Sequence, residues 1–125
     1  MQKQKMKILG APQGAPFLKD NKITVLIADS FFTRLGGLMF RKSLPQETGL
    51  LLAPCNSVHM CFMRFAIDVV YLDKEYRIIK VVNNLKPWIG VSLCRKAWAT
   101  LELPAGEAER CGLTVGTKLI REKEL

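Results

Sequence analysis

One histidine, three arginines set among apolar residues and one aspartate are the side chains through which this sequence could do chemistry. His59 and Asp68 bound most of the stretch SVHMCFMRFAID with Arg64 between them, and Arg34 and Arg41 flank LGGLMF. A histidine and an aspartate can share a proton, one as general base and the other as its orienter. Ser43, Ser57 and Ser92 offer hydroxyls, but none sits in a G-x-S-x-G elbow. An arginine inside an apolar segment needs a partner for its charge. Its planar fork suits a carboxylate or a phosphate. The expected site is therefore Arg34, Arg41, His59, Arg64 and Asp68. The arginines would hold an anion (a carboxylate, a phosphate or an acidic peptide end), His59 would add a hydrogen bond, and Asp68 would orient His59 or an arginine. The alternative is an internal ion-pair network that serves only the fold.

Other chemistries find less in the chain. Along an extended strand His59, Cys61 and Met63 share one face, which would suit a soft metal such as Cu(I). Adding Cys55 gives Cys-x3-His-x-Cys, which matches no common zinc spacing, and no second cluster completes four ligands. No metal and no cofactor is expected. The four cysteines, Cys55, Cys61, Cys94 and Cys111, form no CxxC pair and read as reduced, mostly buried thiols. No carboxylate pair is placed for glycoside chemistry, and LGGLMF lacks the lysine and spacing of a phosphate-cradling loop.

The elements that must position these residues are those of one small domain. The chain has 125 residues, 49% hydrophobic and 24% charged, enough to bury a core without staples. Residues 1–20, rich in lysine, glycine and proline, read as a flexible basic leader before a single globular domain over 21–125. That start carries no apolar signal region, and no apolar run approaches a membrane span, so a cytoplasmic protein is expected. The formal charge is +8. Between Glu75 and Glu102 there is no acid, but there are Arg77, Lys80, Lys86, Arg95 and Lys96. Such a face would draw nucleic acid, anionic lipid or an acidic protein. The plainer reading, a solvated face that keeps the protein soluble, is preferred to nucleic acid, because base-stacking aromatics are sparse among the lysines.

KITVLIAD alternates as a strand with apolar contact on both faces. SFFTRLGGLMFRKSLP spaces Phe31, Leu35, Leu38 and Met39 as one face of a short helix ended by Pro45. TGLLLAP and SVHMCFMRF read as strands. DVVYLDKEYRIIKVV reads as a hairpin whose turn, near Asp73–Tyr76, lacks a glycine. NNLKPWIGVSLCRK reads as a long connection and AWATLELP as a strand. AGEAERCGL is a one-to-two-turn helix with Gly112 at C′, and TVGTKLIRE turns at Gly116 into a last strand. The sum is an α+β, β-dominated domain: a small barrel-like or β-clip-like rolled sheet of about seven strands with two short helices.

Three blocks of the chain, RLGGLMFRKSLPQETGLLL, VHMCFMRFAIDVVYLDKEYRIIKVVNNLKPW and LELPAGEAERCGLTVGTKL, resemble domain-of-unknown-function family 192 in their order. The likeness runs from about Ile23 to Leu119. It implies a small β-rich domain, barrel-like or of β-clip character, and no established reaction. The family pattern falls on Arg34, Gly37, Leu38, Met39 and Arg41, on His59, Phe62, Met63, Ile67, Asp68 and Asp73, and on Leu103, Pro104, Ala105 and Gly106. Ala66, Tyr76 and Thr117 depart from the proline, glycine and aspartate that the pattern commonly has there. The function expected is a non-enzymatic binding or assembly module with an Arg/His-lined pocket for a small anion or acidic peptide group. The second reading is an enzyme using His59 and Asp68 on a small anionic substrate. The third is a basic surface module for nucleic acid or membrane.

Overall fold

Every second residue decides which face of this protein a side chain sees. The computed structural model describes residues 2–9, 22–28, 46–61 and 63–121. Its strands are β1 (Gln2–Leu9), β2 (Lys22–Ala28), β3 (Thr48–Leu52), β4 (Ser57–His59), β5 (Ile67–Leu72), β6 (Ile78–Leu85), β7 (Val91–Leu93), β8 (Ala99–Pro104) and β9 (Lys118–Arg121). One short helix, α1 (Glu107–Arg110), lies between β8 and β9. Seven strands form a sheet in the order β6-β5-β8-β3-β2-β1-β9, and β4 with β7 form a second, two-stranded layer. Of the pairings, β2–β3 is parallel and the others are antiparallel, so the large sheet is mixed.

The period-two pattern sorts the apolar side chains into two cores. Ile23 and Val25, Leu51, Val70 and Leu72, Ala99, Leu101 and Leu103, with Met6, Ile8 and Leu119, gather on one face. Ala108, Cys111 and Leu113, from α1 and the loop after it, close that side. The residues between them, Leu50 and Leu52, Ile67, Val69 and Tyr71, face the opposite way and pack under Val58, Met60 and Met63 of the small layer. The central strands β3 and β5 are buried along their whole length because both faces are covered.

Several expectations change on contact with this arrangement. The large sheet is not a closed barrel. Its edge strands β6 and β9 meet at one isolated bridge, Arg77–Lys118, supported by the Ile78 N–H on the Thr117 carbonyl at 2.8 Å. The two strands meet only at those ends, so the sheet stays an open roll. Residues 2–9 of the expected leader are a strand: Met6 and Ile8 are 0% and 2% exposed, and alternate with lysines. The glycines and prolines that suggested mobility all come later, from Gly10 on. SVHMCFMRF is a strand only as far as His59, because Met63 N–H turns back to the Met60 carbonyl. The long connection after Val82 is shorter than it reads, since β6 continues to Leu85 and β7 occupies Val91–Leu93. Of the two expected helices, α1 is present, with Gly112 at positive φ (72°) behind it. The other, over SFFTRLGGLMFRKSLP, lies outside the described residues. The glycine-free hairpin turn is as expected, with Tyr76 at φ 62°. Its ring packs against the first core, which offsets the cost of that conformation.

Candidate functional site

Asp68 sits on β5, fully buried, on the same face as Val70 and Leu72. Its Oδ1 accepts the Asn84 N–H at 2.9 Å, and its Oδ2 accepts the Gly106 and Ala108 N–H groups, both at 2.9 Å. The start of α1 has no cap from its own sequence, since Gly106 stands at the N-cap position. Asp68 supplies that cap from a neighbouring strand. Its charge is met by three backbone amides.

His59 and Arg64 lie elsewhere. His59 is exposed on β4, and Arg64 is exposed beyond the turn that ends β4. The β4–β7 layer covers the face of the sheet that carries Tyr71, so the sheet itself stands between His59 and Asp68. The expected His59–Asp68 or Arg64–Asp68 pairing is therefore corrected: Asp68 orients the amides of α1 and β6, not an imidazole or a guanidinium. Arg34 and Arg41 lie outside the described residues.

What surrounds His59 is an exposed surface. In the β4–β7 ladder His59 stands opposite Val91 and Ser57 opposite Leu93. Val58 and Ser92 point inward, where Ser92 Oγ accepts the Tyr71 hydroxyl at 2.8 Å. Outward, Val91 is 74% and Leu93 49% exposed, and the loop before β7 adds Trp88 at 57% and Ile89 at 78%. Large apolar side chains exposed side by side are unusual on a protein surface. Exposed cations lie close to them along the chain, Lys86, Arg95 and Lys96, and Lys80 Nζ lies 3.2 Å from the Leu93 carbonyl. The loop is held in place by Trp88 N–H on the Met60 carbonyl (2.8 Å) and Met60 N–H on the Gly90 carbonyl (2.9 Å).

Two buried titratable groups escaped sequence reasoning. Glu102 lies on central strand β8, across from Leu50 and Val69, on the Tyr71 side of the sheet. Crowding by protein pushes its carboxyl up to about 7, although part of the residue still reaches solvent. No described residue donates a hydrogen bond to it. Tyr71 is likewise raised, chiefly by burial, with its bond to Ser92 acting in the opposite direction. The signal for Glu102 was a lone carboxylate in ATLELP, at a position whose neighbours on both sides of the alternation are apolar. Glu107 stands in the first turn of α1. It is buried, and its Oε2 accepts the Glu47 N–H at 3.0 Å and lies 3.3 Å from Arg110, which also pairs with Glu47 at 3.1 Å. Burial and that carboxylate raise the neighbouring Cys111 thiol to about 12. Cys61 is exposed. Among the described residues no three His, Cys, Asp or Glu side chains gather as a metal site would need, and no helix is long and apolar enough to cross a membrane.

These features define a class: a small domain built on an open, curled mixed sheet, with a two-stranded layer over one face and a carboxylate-capped helix over the other. The chain belongs to domain-of-unknown-function family 192, described as uncharacterized ACR, COG1430, whose model matches residues 16–120. It is 38% identical over 106 residues to a UPF0127 protein of Pyrococcus furiosus, covering 81% of this chain and 89% of that one. It is 37% identical over 100 residues to a UPF0127 protein of Pyrococcus horikoshii, covering 76% and 84%. Among solved structures it superposes on "a putative transcription regulator" of Sinorhizobium meliloti with a TM-score of 0.81 and 21% identity, over 96% of this chain and 94% of that one. A protein of unknown function from Novosphingobium aromaticivorans gives a TM-score of 0.75 at 20% identity, over 92% and 82%. At such identities the two structures show a shared fold alone.

Proposed function

We propose that this chain is a non-enzymatic binding or assembly module that takes an acidic group on the outer face of the β4–β7 layer. One observation carries the reading: Val91, Leu93, Ile89 and Trp88 form an exposed apolar strip beside His59, with Lys80 against it and the exposed Lys86, Arg95 and Lys96 flanking it in the chain. Apolar area supplies affinity, while the cations select an anion and fix its position. His59 offers a hydrogen bond beside the strip, and Arg64 adds a guanidinium at the end of β4. Asp68 takes no part, because its oxygens are engaged on the far side of the sheet. The same separation removes the acid–base pair on which an enzymatic reading rested.

Amide shifts of the labelled protein, followed while acetate, phosphate and an acidic peptide are added, test the proposal. Shifts centred on His59, Arg64, Val91 and Leu93 support it. Shifts confined to Glu102 and Tyr71, or none with any of the three, overturn it.

A further inference from the structure

Among the described residues no strand pairs with the outer edge of β7, and the hydrogen-bonding direction of that edge is fixed by its neighbours. Met60 N–H reaches the Gly90 carbonyl and Cys94 N–H the Asn56 carbonyl at 2.8 Å. With the observed register, Ser92 faces β4, while the N–H and C=O groups of Val91 and Leu93 face away from it. The Leu93 carbonyl meets Lys80 Nζ on that outer side, as the alternation requires. No described strand pairs along this edge. An unpaired edge with exposed apolar side chains is a template for another strand, and folded proteins ordinarily blunt it.

The charges around the edge indicate what would pair there. Lys80 stands at its Leu93 end, where Arg95 and Lys96 follow. Lys86 stands at its Val91 end, its carbonyl bound by the Gly90 N–H at 3.0 Å. A second copy of the same edge would bring like charges together. Glutamates or aspartates alternating with apolar residues on an extended strand would meet the lysines and the Val91–Leu93 face at once.

We propose that the β7 edge captures an extended acidic segment of a partner protein as a third strand of the β4–β7 layer. The incoming backbone pairs with Val91 N–H, Val91 C=O and Leu93 N–H. Its apolar side chains lie over Val91 and Leu93, and its carboxylates reach Lys80 and Lys86. This rests on the reading that the layer's outer face is a docking surface.

The test uses a fluorescein-labelled synthetic peptide alternating glutamate with valine, and the same peptide N-methylated at alternate amides. Anisotropy reports affinity, and amide exchange at Val91 and Leu93 reports pairing. The expected result is that N-methylation weakens binding roughly tenfold or more, as losing two or three backbone hydrogen bonds would. The parent peptide should also protect both amides from exchange. A Val91→Pro variant, whose lost N–H points away from β4, should weaken binding of the parent peptide to a similar degree while keeping its folded spectrum.

Equal affinity for the two peptides overturns strand capture and leaves the docking surface standing. If neither peptide binds but acetate or phosphate still shifts His59 and Arg64, strand capture alone falls. Silence toward every probe overturns both readings. Binding to phosphatidylglycerol vesicles without binding to either peptide overturns strand capture in favour of a lipid surface.

Discussion

At the scale of single residues, Asp68 and Glu102 are both carboxylates placed in the sheet interior, with opposite consequences. Asp68 has three amides within 2.9 Å. Replacing it with alanine leaves the buried Ala108 amide unmet and turns the more exposed Asn84 and Gly106 amides over to water, and should cost about 2–4 kcal/mol in urea denaturation. Asp68→Asn keeps one acceptor oxygen and should cost roughly half as much. Glu102 has no such donors among the described residues, so burial favours its protonated form. Between the ordinary value of 4.5 and about 7 the folded state holds this proton more tightly than the unfolded chain. Stability from this group is therefore present below 4.5 and falls as pH rises to about 7. Glu102→Gln should remove the fall and stabilise the protein above that window by about 1–3 kcal/mol, with little effect below it, as thermal melts across pH would register. For the thiols, maleimide labelling of the folded protein should modify Cys61 and spare Cys111, whose raised pKa and burial disfavour the thiolate. The sequence singled out Asp68 as polar among apolar residues but not its partners. Backbone amides of Asn84, Gly106 and Ala108 have no signature in side-chain types. Glu102 was passed over because alternation marks one buried face, and this strand buries both.

At the scale of elements, the reading succeeded where periodicity and turn chemistry agree. β3, β5, β8, β9 and α1 follow from alternation, from Gly112 and Gly116 at positive φ, and from acidic residues at a helix start. It missed β1, read as part of a leader, and β7, read as part of a connection, and it ran β4 on past His59. β4 and β7 are too short for a period to show, and tertiary contacts decide them: Tyr71 beneath Ser92, and Met60 stitched to Gly90 and Trp88. Gly90 is the tight point of that layer. A Cβ there would lie 2.5 Å from the Lys86 carbonyl oxygen and 2.8 Å from side-chain carbons of Leu85 and Met60. Gly90→Ala should therefore displace the loop, shift the amides of β4 and β7, and cost about 1–3 kcal/mol while β1–β2 and β8–β9 remain unperturbed in the same spectrum.

At the scale of the whole molecule, the sheet's order could not be read from the chain. Alternation says that a segment is a strand; it does not say that β1 lies between β2 and β9, or that β8 lies between β3 and β5. Those choices come from matching apolar faces across segments far apart in sequence. β1 lies outside the 16–120 family match, yet it joins β9 to the rest of the sheet and places Met6 and Ile8 in the first core. Deleting residues 1–9 should cost about 3–6 kcal/mol from those two side chains alone and expose an edge of β2. Gel filtration of the truncated chain would then show self-association or loss of the compact species.

The carboxylate of Asp68 also ties chain segments 16, 38 and 40 residues away from it. None of its three partners is local, so the clasp can close only after β6 and α1 have docked on β5. A clasp of this kind is expected to form late in folding, so that damage to it appears on one side of the barrier. In a chevron measured for Asp68→Asn, the unfolding limb should rise while the refolding limb stays nearly where it was. The residue that caps a four-residue helix would then act as the latch that sets how long the native state lasts.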